Sequence, residues 1–147
     1  MDENIGSLLA QVSRLMRRAF DEKARTIGVT RPQWQVLSLL HAREGINQGG
    51  LADILEVEPI TLGRMVDRLQ DAGLVERRPD PADRRAWRLY LTDKARDLHQ
   101  QLRPLAQDMI EAALEGISSE QHDELVIAMK KMRANLTRKS ASVTGHG

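Results

Sequence analysis

The stretch that decides the fold is EPITLGRMVDRLQDAG, residues 58–73, followed directly by LVERRPDPADRRAWRLYL, residues 74–91. Pro59 suits a first helical position, because its missing N–H has no intrahelical partner there, and Gly73 suits the left-handed residue that closes a helix. Between them, apolar side chains recur at spacings of three and four, as an amphipathic helix requires. These side chains are Leu62, Met65, Val66, Leu69 and Ala72.

The opposite face of this predicted helix carries Thr61, Arg64 and Arg68. An arginine can bond a guanine edge through two N–H groups, and a threonine can bond a base or a phosphate or touch a thymine methyl. Such a face is typical of a helix that enters the major groove of DNA. The alternative for each arginine is ordinary solvated charge, so the interpretation depends on the segments around it.

Residues 74–91 predict a two-stranded hairpin. Strands at 74–78 and 86–91 flank a loop at 79–85, whose two prolines cannot donate to a strand ladder. Five arginines outnumber the acidic residues of this hairpin. They are Arg77, Arg78, Arg84, Arg85 and Arg88. A cationic loop beside such a helix is a wing, and an arginine at its tip can enter a narrow minor groove.

Two further helices precede this unit. Thr30 and Gln33 form a capping box in front of a helix at about 31–43, which is apolar nearly all round and is therefore expected to be buried. A helix at about 48–55 then leads into the DNA-facing helix with helix-turn-helix spacing. Its Gly49 and Gly50 weaken the first turn, and the sequence offers no reason for them beyond a close approach of backbones.

Amphipathic helices are also predicted at both ends of the chain. Ile5 to Phe20 shows apolar spacings of three and four in a helix that ends near Gly28, and Thr92 caps a helix that runs to about Glu115. A capping box at 118–121 opens the last helix. Its apolar seam is narrow, as in a helix that packs on another helix. The seam consists of Leu125, Met129, Met132 and Leu136.

The predicted fold is mainly α with a small β-hairpin: a winged helix-turn-helix with N- and C-terminal dimerisation helices. Residues 31–91 form the DNA-binding region, and residues 1–30 and 92–139 form the helical dimerisation region, because their apolar faces exceed what the small winged helix can cover. Residues 140–147 are small and polar, and we expect them to be a disordered tail.

Composition removes several classes of function. The chain has 147 residues and no cysteine, which excludes disulfides and thiolate metal sites. Its four histidines never pair at helical ligand spacing, so neither a metal nor another cofactor is expected. No apolar run approaches a membrane span and the first residues are acidic, so we expect a cytoplasmic protein. The net charge of +1 does not indicate whether the protein binds nucleic acid, so the interpretation depends on where the charged residues lie.

In their order along the chain, these segments resemble the MarR family of bacterial transcription regulators, and most closely its SlyA-like branch. The resemblance covers about residues 5–138. The matching segments are TRPQW at 30–34, LADIL at 51–55, TLGR at 61–64, LQDAGLV at 69–75 and DRRAWRLYLT at 83–92. The last is the most specific, because it contains the family's wing signature Asp-x-Arg-x-x-Arg as Asp83, Arg85 and Arg88.

The resemblance implies a homodimeric regulator that binds double-stranded DNA at a pseudo-palindromic operator, and we expect this regulator to be a repressor. It implies that the 59–72 helix lies in the major groove and the wing in the minor groove, with Asp83 orienting the wing arginines through an ion pair. The implied DNA-binding residues are Pro59, Ile60, Thr61, Arg64, Arg68, Arg84, Arg85 and Arg88.

Many members of the family are released from DNA by a small aromatic carboxylate or phenolic effector. The resemblance places such a pocket at Arg14, Arg18, Trp34 and His41. Each has an alternative role in the folded chain. Trp34 is favoured as a packing residue, His41 as a hydrogen-bonded core histidine, and Arg14 can equally be a surface ion-pair residue.

Two other classes of function are weighed against a DNA-binding regulator. An enzyme is disfavoured, because the sequence shows no Ser/His/Asp or Cys/His set, no phosphate-cradling glycine loop and no acid pair in an apolar setting. A winged-helix protein-interaction module without DNA binding is the nearer alternative. It would call for a more apolar and less cationic surface than residues 59–91 provide.

Overall fold

The computed structural model describes the backbone of residues 3–144 and the side chains of residues 3–138. This part of the chain contains six helices and a two-stranded antiparallel hairpin, as predicted. In chain order they are α1 (Ile5–Arg25), α2 (Arg31–Ala42), α3 (Gln48–Leu55), α4 (Pro59–Asp71), β1 (Val75–Pro79), β2 (Trp87–Leu91), α5 (Asp93–Ala113) and α6 (Ser119–Thr144).

The start of α2 follows from the side chains that satisfy its first free amides. The Thr30 hydroxyl accepts from the Gln33 amide at 3.4 Å, and the Gln33 side chain accepts from the Thr30 amide at 3.0 Å, so the predicted capping box is confirmed. A second box, between Ser118 and Gln121, opens α6 with distances of 3.1 and 3.0 Å. These reciprocal bonds explain why both starts were predictable.

The ends of α1 and α4 differ in how well the sequence predicts them. Gly73 adopts φ +75° directly after α4, as expected of a closing glycine. In contrast, α1 ends at Arg25, three residues before Gly28, which adopts φ +77° in the following turn. The Val29 amide donates to the Ala24 carbonyl at 3.0 Å across that turn. Gly28 therefore closes the turn that follows α1, and it does not directly follow the last residue of the helix.

The hairpin begins its loop one residue later than predicted. Pro79 belongs to β1 and pairs with Trp87, whereas the sequence was interpreted as placing it in the loop. A proline is tolerated at such a position because the last residue of an edge strand need not donate to the ladder. The Asp80 amide then closes the loop by donating to the Ala86 carbonyl at 3.1 Å.

The winged helix encloses a core to which α2 contributes a fully buried face. Helices α3 and α4 and the hairpin add most of the remaining apolar side chains. Helix α2 is buried on one face only, since Ser38, His41 and Ala42 are exposed, whereas the sequence predicts a helix that is apolar nearly all round and buried. The buried side chains are Phe20, Ala24, Val29, Val36, Leu37, Leu40, Leu51, Ala52, Leu62, Val66, Leu69, Leu74, Val75, Leu89, Leu91, Ala95 and Leu102.

The structure gives a reason for one of the two glycines of α3. A Cβ on Gly50 would lie 3.3 Å from Asn47 Oδ1 and 3.3 Å from Ile46 Cγ1, which is a tight contact on both sides. Asn47 Oδ1 is fixed there because it caps α3 by accepting from the Gly50 amide at 2.7 Å. Nothing comparable surrounds Gly49, and the structure does not explain it.

Between α2 and α5, two side-chain contacts form a joint. The Glu44 carboxylate, just after α2, accepts from both Arg96 Nη atoms at 3.0 and 2.7 Å and from the Leu91 amide at 3.1 Å. His41 stacks on His99 with ring centroids 4.0 Å apart and ring planes 18° from parallel. The joint therefore ties the end of α2 to the end of β2 and to the first two turns of α5.

The chain divides between Met109 and Ile110 into two compact units. This division does not coincide with the region boundaries predicted at 30/31 and 91/92, which stay predictions. Helix α6 runs to Thr144, beyond the predicted start of a disordered tail at residue 140, and residues 145–147 of that tail lie outside the described residues. None of the helices in residues 3–144 is long and apolar enough to cross a membrane.

The histidine stack makes a prediction about pH. Burial, and then the neighbouring His41 and Arg103, lower the pKa of His99 below its ordinary value of 6.5. The folded state therefore binds this proton less readily than the unfolded state does, so the contribution to stability is complete above pH 6.5 and falls as the pH drops below it. Urea unfolding between pH 7.5 and pH 5 should show this loss, and His99→Gln should reduce the slope.

His122→Gln is the matched control, because His122 is an exposed histidine of α6 that lies 3.1 Å from Asp123. This variant should keep the pH slope of the parent in the same series of unfolding curves. A His99→Gln protein with the parent's slope would contradict the assignment.

Candidate nucleic-acid interface

The solvent face of α4 carries every residue that the sequence predicts for the major groove. Pro59, Ile60, Thr61, Arg64 and Arg68 are all exposed, and Ile60 is 68% exposed. On the opposite side of the helix, the buried apolar side chains hold α4 against the core. The face is thus a rigid surface with two guanidinium groups, a hydroxyl and an apolar side chain close to the helix start.

The wing loop, residues 80–86, is ordered by its two aspartates. Asp80 Oδ1 accepts from the Ala82 amide at 2.8 Å, and Asp83 Oδ1 accepts from the Arg85 amide at 2.9 Å. Arg84 and Arg85 lie exposed in this loop, at the positions that the sequence predicts for the minor groove. The local turns therefore present both guanidinium groups without involving them in the fold of the loop.

The ion pair that orients a wing arginine is made by Asp80 and not by Asp83. Arg88 Nε lies 3.2 Å from Asp80 Oδ2, and the Asp80 side chain is only 10% exposed. The Ala82 amide, and then Arg88, hold the pKa of the Asp80 carboxyl below its usual range. The Asp83 carboxylate instead closes the turn at Arg85. The prediction for Asp83 therefore needs this correction.

Register explains why the sequence pointed to the wrong aspartate. Pro79 pairs with Trp87, so Asp80 lies opposite Ala86, and Arg88, two residues further along the chain, lies diagonally across the hairpin from Asp80. The sequence predicts where the two strands lie but not which residues pair, so it could not show which aspartate faces Arg88. Arg88 stays predicted as a DNA contact, and its side chain is 41% exposed beside Asp80.

Besides Arg88, two more of the five hairpin arginines have partners within the fold. Arg78 lies over the Tyr90 ring, with its guanidinium carbon 4.0 Å from the ring centroid, and pairs with Glu76 at 3.3 Å. Arg77 is 17% exposed and bonds to α3 and α4. Sequence reasoning counted Arg77 as wing charge, although the alternation from buried Val75 was a signal that it lies on the inner face of β1.

Trp34 of α2, predicted as either an effector contact or a packing residue, packs against residues of α1. Its ring meets Phe20 edge to face at 4.8 Å, and its Nε1 donates to Asp21 Oδ1 at 2.8 Å. Asp21 also accepts from Arg31 Nε at 2.6 Å. Arg31 and Trp34 hold the pKa of the Asp21 carboxyl below its usual range. These contacts are those expected if Trp34 is a packing residue.

The other three residues of the predicted effector pocket are spread along α1 and α2. Arg14 and Arg18 are exposed on α1, and His41 is exposed in its stack on His99. Arg18 lines a cleft of about 600 Å³, and Arg14, Trp34 and His41 do not. The other lining residues of this cleft are Asp21, Glu22, Arg25, Thr30 and Arg31.

Within residues 3–138, no three or more His, Asp or Glu residues are gathered where they could hold a metal ion. Residues 59–88 offer hydrogen bonding, cationic charge and apolar contact, in a helix and a loop that lie next to each other in the fold.

Comparison with known proteins identifies this arrangement. The family model described as MarR family matches residues 29–87. A MarR transcriptional regulator from Methanosarcina mazei Go1 has a similar structure, with a TM-score of 0.82 and 28% identity over 91% of this chain and 96% of that one. Wild-type apo MarR from E. coli matches with a TM-score of 0.81 and 27% identity over 90% and 98%.

A mutant E. coli MarR in complex with operator DNA matches with a TM-score of 0.74 and 28% identity, over 87% of this chain and 92% of that one. These likenesses extend well beyond the segment that the family model covers. Residues 29–87 match the MarR family model, and the chain has the winged-helix fold of the MarR transcriptional regulators to which it is similar.

Proposed function

We propose that this protein is a sequence-specific DNA-binding transcriptional regulator of the SlyA-like branch of the MarR family, and that it acts in the cytoplasm as a homodimeric repressor. One observation carries the proposal: the exposed face of Thr61, Arg64 and Arg68 lies on the same domain as the exposed loop arginines Arg84 and Arg85. The operator complex of the E. coli relative supports it.

Within this proposal, the two surfaces have different tasks. The α4 face, from Pro59 to Arg68, reads base edges in the major groove, where arginine fixes a guanine and Ile60 can meet a thymine methyl. Arg84 and Arg85 enter the minor groove, where the narrow width enhances the negative potential. Arg88, held by Asp80, supports the wing and adds cationic charge close to the phosphates.

A fluorescence anisotropy titration tests these tasks, with duplexes that the parent protein selects from a random pool. Arg64→Ala should lower the preference for the selected duplex over a scrambled one by about 5- to 150-fold, the value of one bidentate base contact. Arg85→Ala should weaken binding to both duplexes and lower the log-log salt slope by about one.

Arg133→Ala, which removes an exposed arginine from α6, is the control and should match the parent protein on both duplexes. A parent protein that prefers no duplex in the pool would overturn the proposed function. If Arg64→Ala and Arg85→Ala both bind like the parent, the assignment of tasks is wrong.

The proposed homodimer is supported by apolar side chains that the chain itself leaves exposed. On α1 these are Ile5, Leu8, Leu9, Val12 and Leu15, and on the α6 seam they are Leu125, Met129 and Leu136. Contiguous apolar faces of this kind mark interaction surfaces. We therefore propose residues 1–30 and 92–139 as the dimerisation region and residues 31–91 as the DNA-binding region.

Two-fold symmetry then requires a pseudo-palindromic operator whose half-sites lie about one helical turn, or roughly 34 Å, apart.

On α6, Leu136 is 66% exposed on the seam, and Ile127 is 55% exposed but lies outside it. Leu136→Glu should shift sedimentation toward the 16.6 kDa monomer, because the new charge would be buried unpaired in the dimer. Ile127→Glu is the control and should sediment as the parent. A monomeric parent protein at micromolar concentration would refute the homodimer.

A small aromatic carboxylate or phenolic effector is proposed to relieve repression. Support comes from the cleft of about 600 Å³, where Arg18, Arg25 and Arg31 offer cationic charge. By linkage, such an anion lowers DNA affinity only as far as it prefers a dimer whose α4 helices are wrongly spaced for DNA. Arg14, Trp34 and His41 do not line this cleft, and their assignment to an effector site stays a prediction.

Benzoate is a suitable probe for this anion. It should raise the apparent Kd for the selected duplex more than potassium chloride does at the same ionic strength, and Arg18→Ala should remove most of that excess. Arg133→Ala should retain the excess. If benzoate and chloride have equal effects on the parent, this class of effector is excluded for this cleft.

The rival function, a winged-helix protein-interaction module, finds less support. Its binding surface would be expected to be apolar, whereas α4 and the wing loop present Arg64, Arg68, Arg84 and Arg85 to solvent. The exposed large apolar side chains at this surface are Ile60 on α4 and Trp87 at the end of the wing loop. Two apolar side chains among four arginines suit a groove of DNA better than an apolar partner.

A further inference from the structure

Arg77 makes more side-chain contacts between elements than the other hairpin arginines do. From β1, its Nε donates to Gln48 Oε1 of α3 at 3.1 Å, and its Nη1 donates to Asp67 Oδ1 at 2.5 Å and to Gln70 Oε1 at 3.1 Å, both on α4. Its Nη2 donates to the Gly63 carbonyl of α4 at 3.1 Å. One guanidinium therefore joins the wing to both helices of the helix-turn-helix.

The same contacts link α3 to α4. A Cβ on Gly63 of α4 would lie 3.4 Å from Gln48 Nε2, so the Gln48 side chain of α3 reaches α4 beside the Arg77 guanidinium, which bonds to both helices. The planar fork of arginine can satisfy several acceptors in fixed directions, which a lysine ammonium cannot do. The guanidinium of Arg77 therefore holds β1, α3 and α4 in fixed directions relative to one another.

Exposure separates Arg77 from the arginines proposed to contact DNA. Its side chain is 17% exposed, whereas Arg64, Arg68, Arg84 and Arg85 are all exposed to solvent. Its N–H groups are already engaged by a carboxylate, two side-chain amides and a carbonyl. An arginine in this state has little left to offer a phosphate, but its removal would leave several acceptors without a donor.

We propose that Arg77 is a positioning residue that sets the angle between the wing and α4, so that both surfaces match one DNA duplex together. Arg77 acts without touching DNA, through Gln48, Asp67, Gln70 and the Gly63 carbonyl. This inference rests on the proposed function, because the two surfaces must be held together only if both bind the same ligand. It assigns to β1 a part in operator selection.

The salt dependence of binding distinguishes positioning from contact. Arg77→Lys keeps the charge and Arg77→Met keeps much of the stem, and both lose the fork. Each should lower affinity for the selected duplex by about tenfold, the value of one or two charged hydrogen bonds, without changing the salt slope. A slope that falls by about one in Arg77→Met, as expected for Arg85→Ala, would make Arg77 a phosphate contact and overturn the proposal.

A charge relocation tests the contacts themselves. Asp67→Asn should weaken selected binding, and adding Gln48→Glu should restore it, because the new carboxylate would face Arg77 Nε at the position where Gln48 Oε1 lies at 3.1 Å. The double variant has the net charge of the parent, so restored binding would not reflect a general change in attraction to DNA. Gln48→Glu alone is the control, and a double variant as weak as Asp67→Asn would count against the network.

Hydrogen exchange provides a measurement that does not depend on DNA. In Arg77→Met, the amides of β1 and β2 should exchange faster, while those of the buried face of α2 keep the protection of the parent. Faster exchange throughout would indicate a general loss of stability and contradict a positioning role, as would unchanged exchange in the hairpin. If the parent binds no DNA, the proposed function fails, and this experiment still decides whether Arg77 fixes the wing.

Discussion

The winged helix depends on the burial of one face of α2. Val36, Leu37 and Leu40 are fully buried, and the apolar faces of α3, α4 and the hairpin complete the same core. Because burial of that core stabilises all four elements together, α4 and the wing have fixed positions although their outer faces are polar. The surface proposed to meet DNA is therefore rigid because of contacts on its opposite side.

Much of this architecture could be predicted because its signals are local. A capping box, a closing glycine or an apolar spacing of three and four involves residues within about one helical turn of each other. Thr30 with Gln33, Ser118 with Gln121 and Gly73 all behave as their sequence neighbourhood indicates. The exposed arginines of α4 follow in the same way, since a face opposite to buried leucines must be the outer one.

The contacts that escaped prediction join residues whose proximity depends on register or tertiary packing. Asp80 meets Arg88 only because Pro79 pairs with Trp87, and a shift of one residue would select another partner. Arg77 reaches Gln48, which is 29 residues away in sequence, through the packing of β1 beside α3 and α4. The effector residues were carried over by resemblance, and the indole of Trp34 proves to be bonded to Asp21.

Glu44 has a consequence for how the elements around it are held together. Its carboxylate bonds at once to the last residue of β2 and to Arg96 in the first turn of α5. The end of β2 and the first turn of α5 therefore share one acceptor group. If either of them moved away from Glu44, it would leave the carboxylate with fewer hydrogen bonds, so these bonds favour an arrangement in which both stay close to the end of α2.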